Sequence, residues 1–333
     1  MVLYSAVFLA FLALVCGLIG SLHPFPEVNG IAPKLRYFAA HRDDYELLFI
    51  GSSRFYRQII PRQFDAQVEK ATGVKIRSFN FGWDGCYPPE SYFLTRKLLA
   101  LRPRNLRWVV VELMDINPLL NEATTESLRM AYWHDWRHTL LVWRRLDALE
   151  GHDPKKWKLT VDHGTVFLKQ FTALGRSAEL LHGQLLGKKP ARDKSPAWAG
   201  AEGFTPGPDS LMAGEELRFF EQQVEQVRRN LPEAPMSPAL SNALIDLIAE
   251  IRAAGAEPLF VIAPNCNPLE NFKAAPGNVP LFAFNDPNLH PVLFEPAMHY
   301  NGAHLNEKGA AIFTRLLAER FGGIVQNSNA LPH

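Results

Sequence analysis

The fold class that this sequence predicts is α/β, with a parallel five-stranded sheet in a three-layer α/β/α sandwich of flavodoxin-like type. Three observations point there. Short apolar runs, Leu47 to Ile50, Ile76 to Phe79, Trp108 to Leu113, Leu259 to Ala263 and Val279 to Phe284, read as buried strands. Stretches of helical period separate them, and that alternation implies parallel strands covered by helices on both faces. The chain has 333 residues, 47% of them hydrophobic and 21% charged, a globular composition long enough to bury a full core.

At the amino terminus, the run from Val2 to Leu22 carries no charged side chain and matches the ~20 apolar residues of a bilayer-spanning helix. It lacks the basic n-region of a cleaved signal peptide, so residues 1–23 are expected to remain as a transmembrane anchor, with 24–44 as a linker. Cys16 has Val15 before it, where a lipidated cysteine normally has a small residue, and reads as an apolar helix position.

The helix before the fourth strand is the clearest. Ser237 caps it, Pro238 occupies its first turn, and Gly255 ends it. Leu240, Ala243, Leu244, Leu247, Ile248 and Ile251 share one face. Asn306 caps a last helix that buries Ile312, Phe313, Leu316 and Leu317. Between the third and fourth strands lie about 140 residues, far more than a crossover helix needs, so 120–236 is expected to be a largely helical insertion or cap in a domain of 45–325. Thr125 to Leu149 reads as helical, and Gly183 to Ser210 as a loop.

Function classes narrow next. With 35 Lys and Arg against 34 Asp and Glu, the net charge is +1 and no basic field exists for a nucleic-acid partner. Three cysteines exclude a disulfide scaffold or a four-cysteine zinc site. In open parallel sheets, ligands bind beyond the carboxyl ends of the strands. Those ends carry Gly51-Ser52-Ser53-Arg54, Asn80-Phe81-Gly82-Trp83-Asp84-Gly85-Cys86, Glu112-Leu113-Met114-Asp115-Ile116-Asn117 and, near the carboxyl terminus, Tyr300-Asn301-Gly302-Ala303-His304-Leu305-Asn306. A serine in a tight turn and a histidine before the final helix are a candidate nucleophile and base.

In this order, Gly51-Ser52-Ser53, Asn80 to Gly85, Asn117 and Asn301-x-x-His304 with Gly309 resemble the SGNH (GDSL-like) hydrolase superfamily, and within it the membrane-anchored branch associated with O-acylation of cell-surface polysaccharides. The resemblance covers residues 45 to 118 and 237 to 322. It implies ester chemistry, with Ser53 as nucleophile, His304 as general base, and the amides of Ser53 and Gly85 with the Asn117 side chain as oxyanion donors. It also implies a glycan or lipid-linked ester substrate, a membrane-bound acyl donor protein as partner, and a body in the periplasm or another extracytoplasmic space. Lys34, Arg36 and Arg42 after the span point the other way by the positive-inside rule. If the body is extracytoplasmic, Cys86 and Cys266 are a candidate pair.

The chain departs from the family pattern twice. Ile116 aligns where the third block has its asparagine, with Asn117 one residue later, and Asn301 stands where aspartate normally orients the histidine. A Ser-His dyad, or a carboxylate from Asp84 or Asp286, is the alternative to Asn301. Transfer and hydrolysis differ only in whether an alcohol or water captures the acyl-enzyme. The rivals are a plain carboxylesterase or lysophospholipase and a catalytically silent binding or scaffold module. Arg54 and Asp84 are candidate substrate contacts, or a pair with each other. His134 and His138 have zinc-binding spacing, but no third ligand is evident, so no metal and no cofactor is expected. Trp133, Trp136 and Trp143 read first as packing residues and second as a sugar platform.

Overall fold

The computed structural model describes residues 2–22, 31–118, 127–148, 154–172 and 198–329. In chain order the main elements are α1 (Val2–Leu22), α2 (Ile31–His41), β1 (Leu47–Ile50), α3 (Ser53–Tyr56), α4 (Pro61–Thr72), β2 (Ser78–Asn80), α5 (Glu90–Leu99) and β3 (Trp108–Glu112). Then come α6 (Leu128–Trp133), α7 (Trp136–Asp147), α8 (Pro154–Phe171), α9 (Gly214–Arg229), α10 (Pro238–Ala253), β4 (Glu257–Ile262), β5 (Leu281–Ala283), a hairpin of β6 (His299–Asn301) and β7 (His304–Leu305), and α11 (Glu307–Asn329).

Two compact units result. A sheet unit comprises residues 39–115 and 196–333, and a helical unit comprises 1–38 and 116–195. The sheet is parallel throughout, in the order β2-β1-β3-β4-β5, which is the doubly wound flavodoxin order. Leu47, Phe49, Val110, Leu259 and Val261 point to one face and enter a core with Phe64 and Val68 of α4 and Phe313, Leu317 and Phe321 of α11. Leu48, Ile50, Val109 and Val111 alternate to the other face and are equally buried, as period-two side chains must be in a sheet covered on both sides.

The strand boundaries follow the ladder rather than the apolar runs. Pairing of β1 with β2 starts at Leu47 opposite Ser78, because the Arg77 carbonyl before it accepts from both Glu46 and Leu47. At the edge, β5 shrinks to Leu281–Ala283, the three residues with partners on β4. The α10 helix has Ser237 as N-cap, its hydroxyl accepting from the Leu240 amide, and ends before Gly255 at φ +85°. Of the segment expected to be helical over 125–149, residues 127–148 are described and form α6 and α7, parted where Asp135 is an N-cap whose carboxylate accepts from the His138 amide.

The insertion is also shorter than 120–236. Met212, and Phe220 and Val224 of α9, belong to the sheet unit's core, and where the description resumes at Trp198 the chain is in that unit. Of the expected loop from Gly183 to Ser210, residues 183–197 lie outside the described residues. Within the described part, Trp198 meets Phe79 edge-on at 6.5 Å and the Glu202 carbonyl accepts from the Asn80 amide, while Pro206 and 208–210 are exposed. As for α1, Leu3, Tyr4, Phe8, Phe11 and Leu14 are exposed along it. Its side chains are described from Leu3 to Leu18, and among the described residues no helix is long and apolar enough to cross a membrane.

Asn80 closes the first crossover. Its buried amide nitrogen donates to the carbonyls of Phe55 and Ile59 at 2.7 and 2.8 Å, while its oxygen accepts from Gly82 at 2.8 Å. Replacing Asn80 with Ala is expected to cost about 1–3 kcal/mol in urea unfolding from the buried groups left unpaired. Asn80→Asp should cost more than Asn80→Ala, because a carboxylate would face two carbonyl oxygens.

Candidate active site

The β1/β3 register sets Ile50 beside Val111, which brings Glu112 alongside Gly51 at the carboxyl edge of the sheet. A side chain at Gly51 would meet the Glu112 carboxylate oxygen at 2.6 Å, so glycine is required by close approach. Glu112 is fully buried. Its Oε2 accepts from the Ser52 amide at 2.6 Å, and its Oε1 lies 2.7 Å from Arg54 Nε. Arg54 Nη1 reaches Glu270 Oε2 at 2.8 Å. One guanidinium therefore holds two buried carboxylates beneath the turn that presents Ser53. Burial pushes the Glu112 carboxyl up, opposed by Arg54 and the Ser52 amide. Burial would lower the Arg54 pKa, but Glu112 and Glu270 hold it above its ordinary value.

Ser52 caps α3, its hydroxyl accepting from the Arg54 amide at 3.2 Å. Ser53 follows as the first residue of α3, 9% exposed, with Oγ 2.6 Å from His304 Nε2. His304 comes from the far end of the sheet unit. Asn306 caps α11 by accepting from Gly309, the hairpin folds back over it, and His304 is thereby aimed at Ser53. His304 Nδ1 lies 2.9 Å from Asn301 Oδ1, which also accepts from the Ala303 amide at 2.9 Å. Two donors converge on that oxygen, which fixes the flip of the amide. His304 therefore donates through Nδ1 and presents the Nε2 lone pair to the serine hydroxyl. Burial first, then the charges of Arg57 and Arg54, pushes the His304 pKa down to about 4.

The β2 loop is tied to the same edge. Phe81 donates to Phe49 and Trp83 to Gly51, and Gly85 takes φ +66° in the turn that follows. Arg57 grips the Asp84 carboxylate with two bonds of 3.1 and 2.8 Å. Tyr300 lies parallel to the His304 ring, centroids 5.4 Å apart, and Gly207 approaches the Tyr300 ring so closely that a side chain there would collide with it.

Several expectations change. Arg54 is buried against Glu112 and Glu270 rather than paired with Asp84 or offered to a ligand, because an arginine next to the nucleophile points under the turn. Asp84 is bound to Arg57. Neither alternative carboxylate replaces Asn301: Asp286 caps its own loop by accepting from Asn288 at 2.8 Å. Asn117 is exposed and belongs to the helical unit. Cys86 and Cys266 are not joined by a disulfide, and burial pushes the Cys266 thiol up to about 11. His134 and His138 do not converge. His134 Nε2 meets His163 Nδ1 at 2.8 Å, whereas His138 Nδ1 meets Asp135 at 2.6 Å. Among the described residues no group of three or more His, Cys, Asp or Glu could hold a metal ion. Trp133 stacks on His134 at 3.7 Å and Trp143 donates to the Thr160 carbonyl, both inside the helical unit, while Trp136 is exposed.

Sequence reading missed Glu112, Glu270, Arg57 and Tyr300. For Glu112 a signal existed: one carboxylate in the run Trp108 to Leu113 must find a partner when the strand is buried. Glu270 had no local signal, since it meets Arg54 across 216 positions.

No family model matches the chain, and no curated protein matches it. Functional reading therefore stands on the residues and their geometry.

Two outcomes are expected. Arg54→Ala, which strips the cation from two buried carboxylates, should lower unfolding free energy by about 3–5 kcal/mol in denaturant titration. In an NMR titration the His304 imidazole should protonate near pH 4. Asn301→Asp should raise that midpoint by about one unit or more, since an adjacent carboxylate favours the imidazolium.

Proposed function

We propose that the protein carries out serine-dependent ester chemistry of the SGNH type through a Ser53 acyl-enzyme. Its activity is O-acyl (O-acetyl) transfer or hydrolysis on a cell-envelope glycan or lipid-linked substrate. The observation that carries this is the 2.6 Å contact of Ser53 Oγ with His304 Nε2, backed by the Asn301 oxygen on His304 Nδ1.

In the proposed cycle, His304 Nε2 takes the Ser53 proton as Oγ bonds to the ester carbonyl carbon. The electron pair of the C=O bond moves to its oxygen, and the amides of Ser53 and Gly85 serve as oxyanion donors. The tetrahedral intermediate collapses, the C–O bond to the leaving alcohol breaks, and His304 returns the proton to that alcohol. Water or an acceptor hydroxyl then repeats the sequence on the acyl-enzyme. Where asparagine in place of aspartate admits the wrong tautomer, as in the serine-protease triad, turnover falls by about 10⁴. Here the Ala303 amide pins the Asn301 oxygen toward the ring, so the productive tautomer is retained; what is lost is neutralisation of the imidazolium.

The exposed apolar side chains of α1 support attachment to a membrane, while the extracytoplasmic body and the membrane-bound acyl donor protein rest on the family resemblance alone.

A fluorophosphonate probe should label the purified protein, and labelling should disappear in both Ser53→Ala and His304→Ala. Its rate should hold as pH falls through 6 and decline only through about 4, the low pKa of His304 keeping the base neutral in acid. Absence of labelling in a folded protein would favour the silent binding module.

A further inference from the structure

We infer that the outward face of α8, together with Trp136, seats the helical unit on an anionic lipid bilayer surface. The inference is independent of the Ser53 chemistry and draws on the proposed anchor only for proximity to a membrane.

Along α8, Trp157, Val161, Leu168 and Phe171 recur at helical spacing on one side and are 72%, 47%, 58% and 49% exposed. The opposite side is spent on folding: Val166 and His163 are fully buried, and His163 contacts His134 at the end of α6. An amphipathic helix in a globular unit normally turns charge to water and hides its apolar stripe. On α8 an apolar stripe remains outside after the core has been satisfied. Trp136, 59% exposed, extends it from the start of α7, its ring meeting Phe167 at 6.5 Å.

Charge names the occupant. Within α8, Lys155, Lys156, Lys158 and Lys169 outnumber the one acid, Asp162, which pairs with Lys158 at 2.9 Å. Helical geometry sets Lys156 on one flank of the stripe and Lys158 and Lys169 on the other. Long basic side chains in such flanks bury their methylenes and lift their ammonium groups toward phosphate headgroups. Tryptophan and phenylalanine at the same level are the side chains that favour a membrane interface. The exposed apolar α1 lies in the same compact unit.

The test uses the full chain reconstituted in phosphatidylcholine/phosphatidylglycerol vesicles. The protein has seven tryptophans and none is in α1, so quenching of intrinsic fluorescence by brominated acyl chains reports Trp136 and Trp157 without interference from the anchor. Quenching is expected in the unmodified chain, and it should fall by about twofold or more in Trp136→Phe/Trp157→Phe, both exposed positions. It should also weaken at high salt or when phosphatidylglycerol is omitted. Absent quenching, quenching unchanged in the double variant, or a stable dimer that hides both tryptophans from lipid would overturn the inference. Maleimide reactivity of Cys16, within α1, reads the anchor separately. A protected Cys16 with unquenched tryptophans retains the anchor and rejects the α8 surface; a reactive Cys16 with quenched tryptophans does the reverse.

Discussion

The buried carboxylate of Glu112 is the constraint on which the site depends. It ends β3, accepts the Ser52 amide, and pairs with the arginine next to the nucleophile. It also dictates glycine at position 51, since the carboxylate occupies the space of a side chain there. Removing a charge of this kind from water is costly, and the cost is offset only because each oxygen meets a donor or a cation. Because Ser52 and Arg54 follow β1, Glu112 ends β3, and Glu270, the second carboxylate on Arg54, lies beyond β4, the ion cluster ties together three strand ends that otherwise share only the sheet ladder. The serine turn thus inherits the rigidity of the sheet.

The second half of the site arrives by another route. The cap of α11, the hairpin before it and the converging donors on Asn301 determine both where His304 points and which nitrogen is bare. Tyr300 covers one face of the ring, and the ring's burial beside Arg57 and Arg54 disfavours the imidazolium. Asn301 supplies orientation and no charge, so in the proposed chemistry a histidine cation here is stabilised less than it would be beside an aspartate.

The helical unit shows a different balance. Its interior is stitched by histidine and tryptophan contacts, while α1 and α8 carry large apolar side chains outside. That retained apolar surface is the observation behind the proposed bilayer contact.

Apolar run length and alternation, read by themselves, determined the sheet, its parallel sense and the caps of α10 and α11, because strand and helix periods and cap chemistry are local properties of the chain. Pattern also brought Ser53, His304 and Asn301 into view as an ordered set. The partners of Arg54 and Asp84, the break at Asp135, the placement of the chain in the sheet unit from Trp198 onward and the packing of Tyr300 were decided only in three dimensions. Each depends on groups far apart in sequence, such as Glu270 and Arg54, that meet through strand register and crossover geometry. A buried charge takes whichever opposite charge the fold brings within reach, and no spacing rule along the chain encodes that choice.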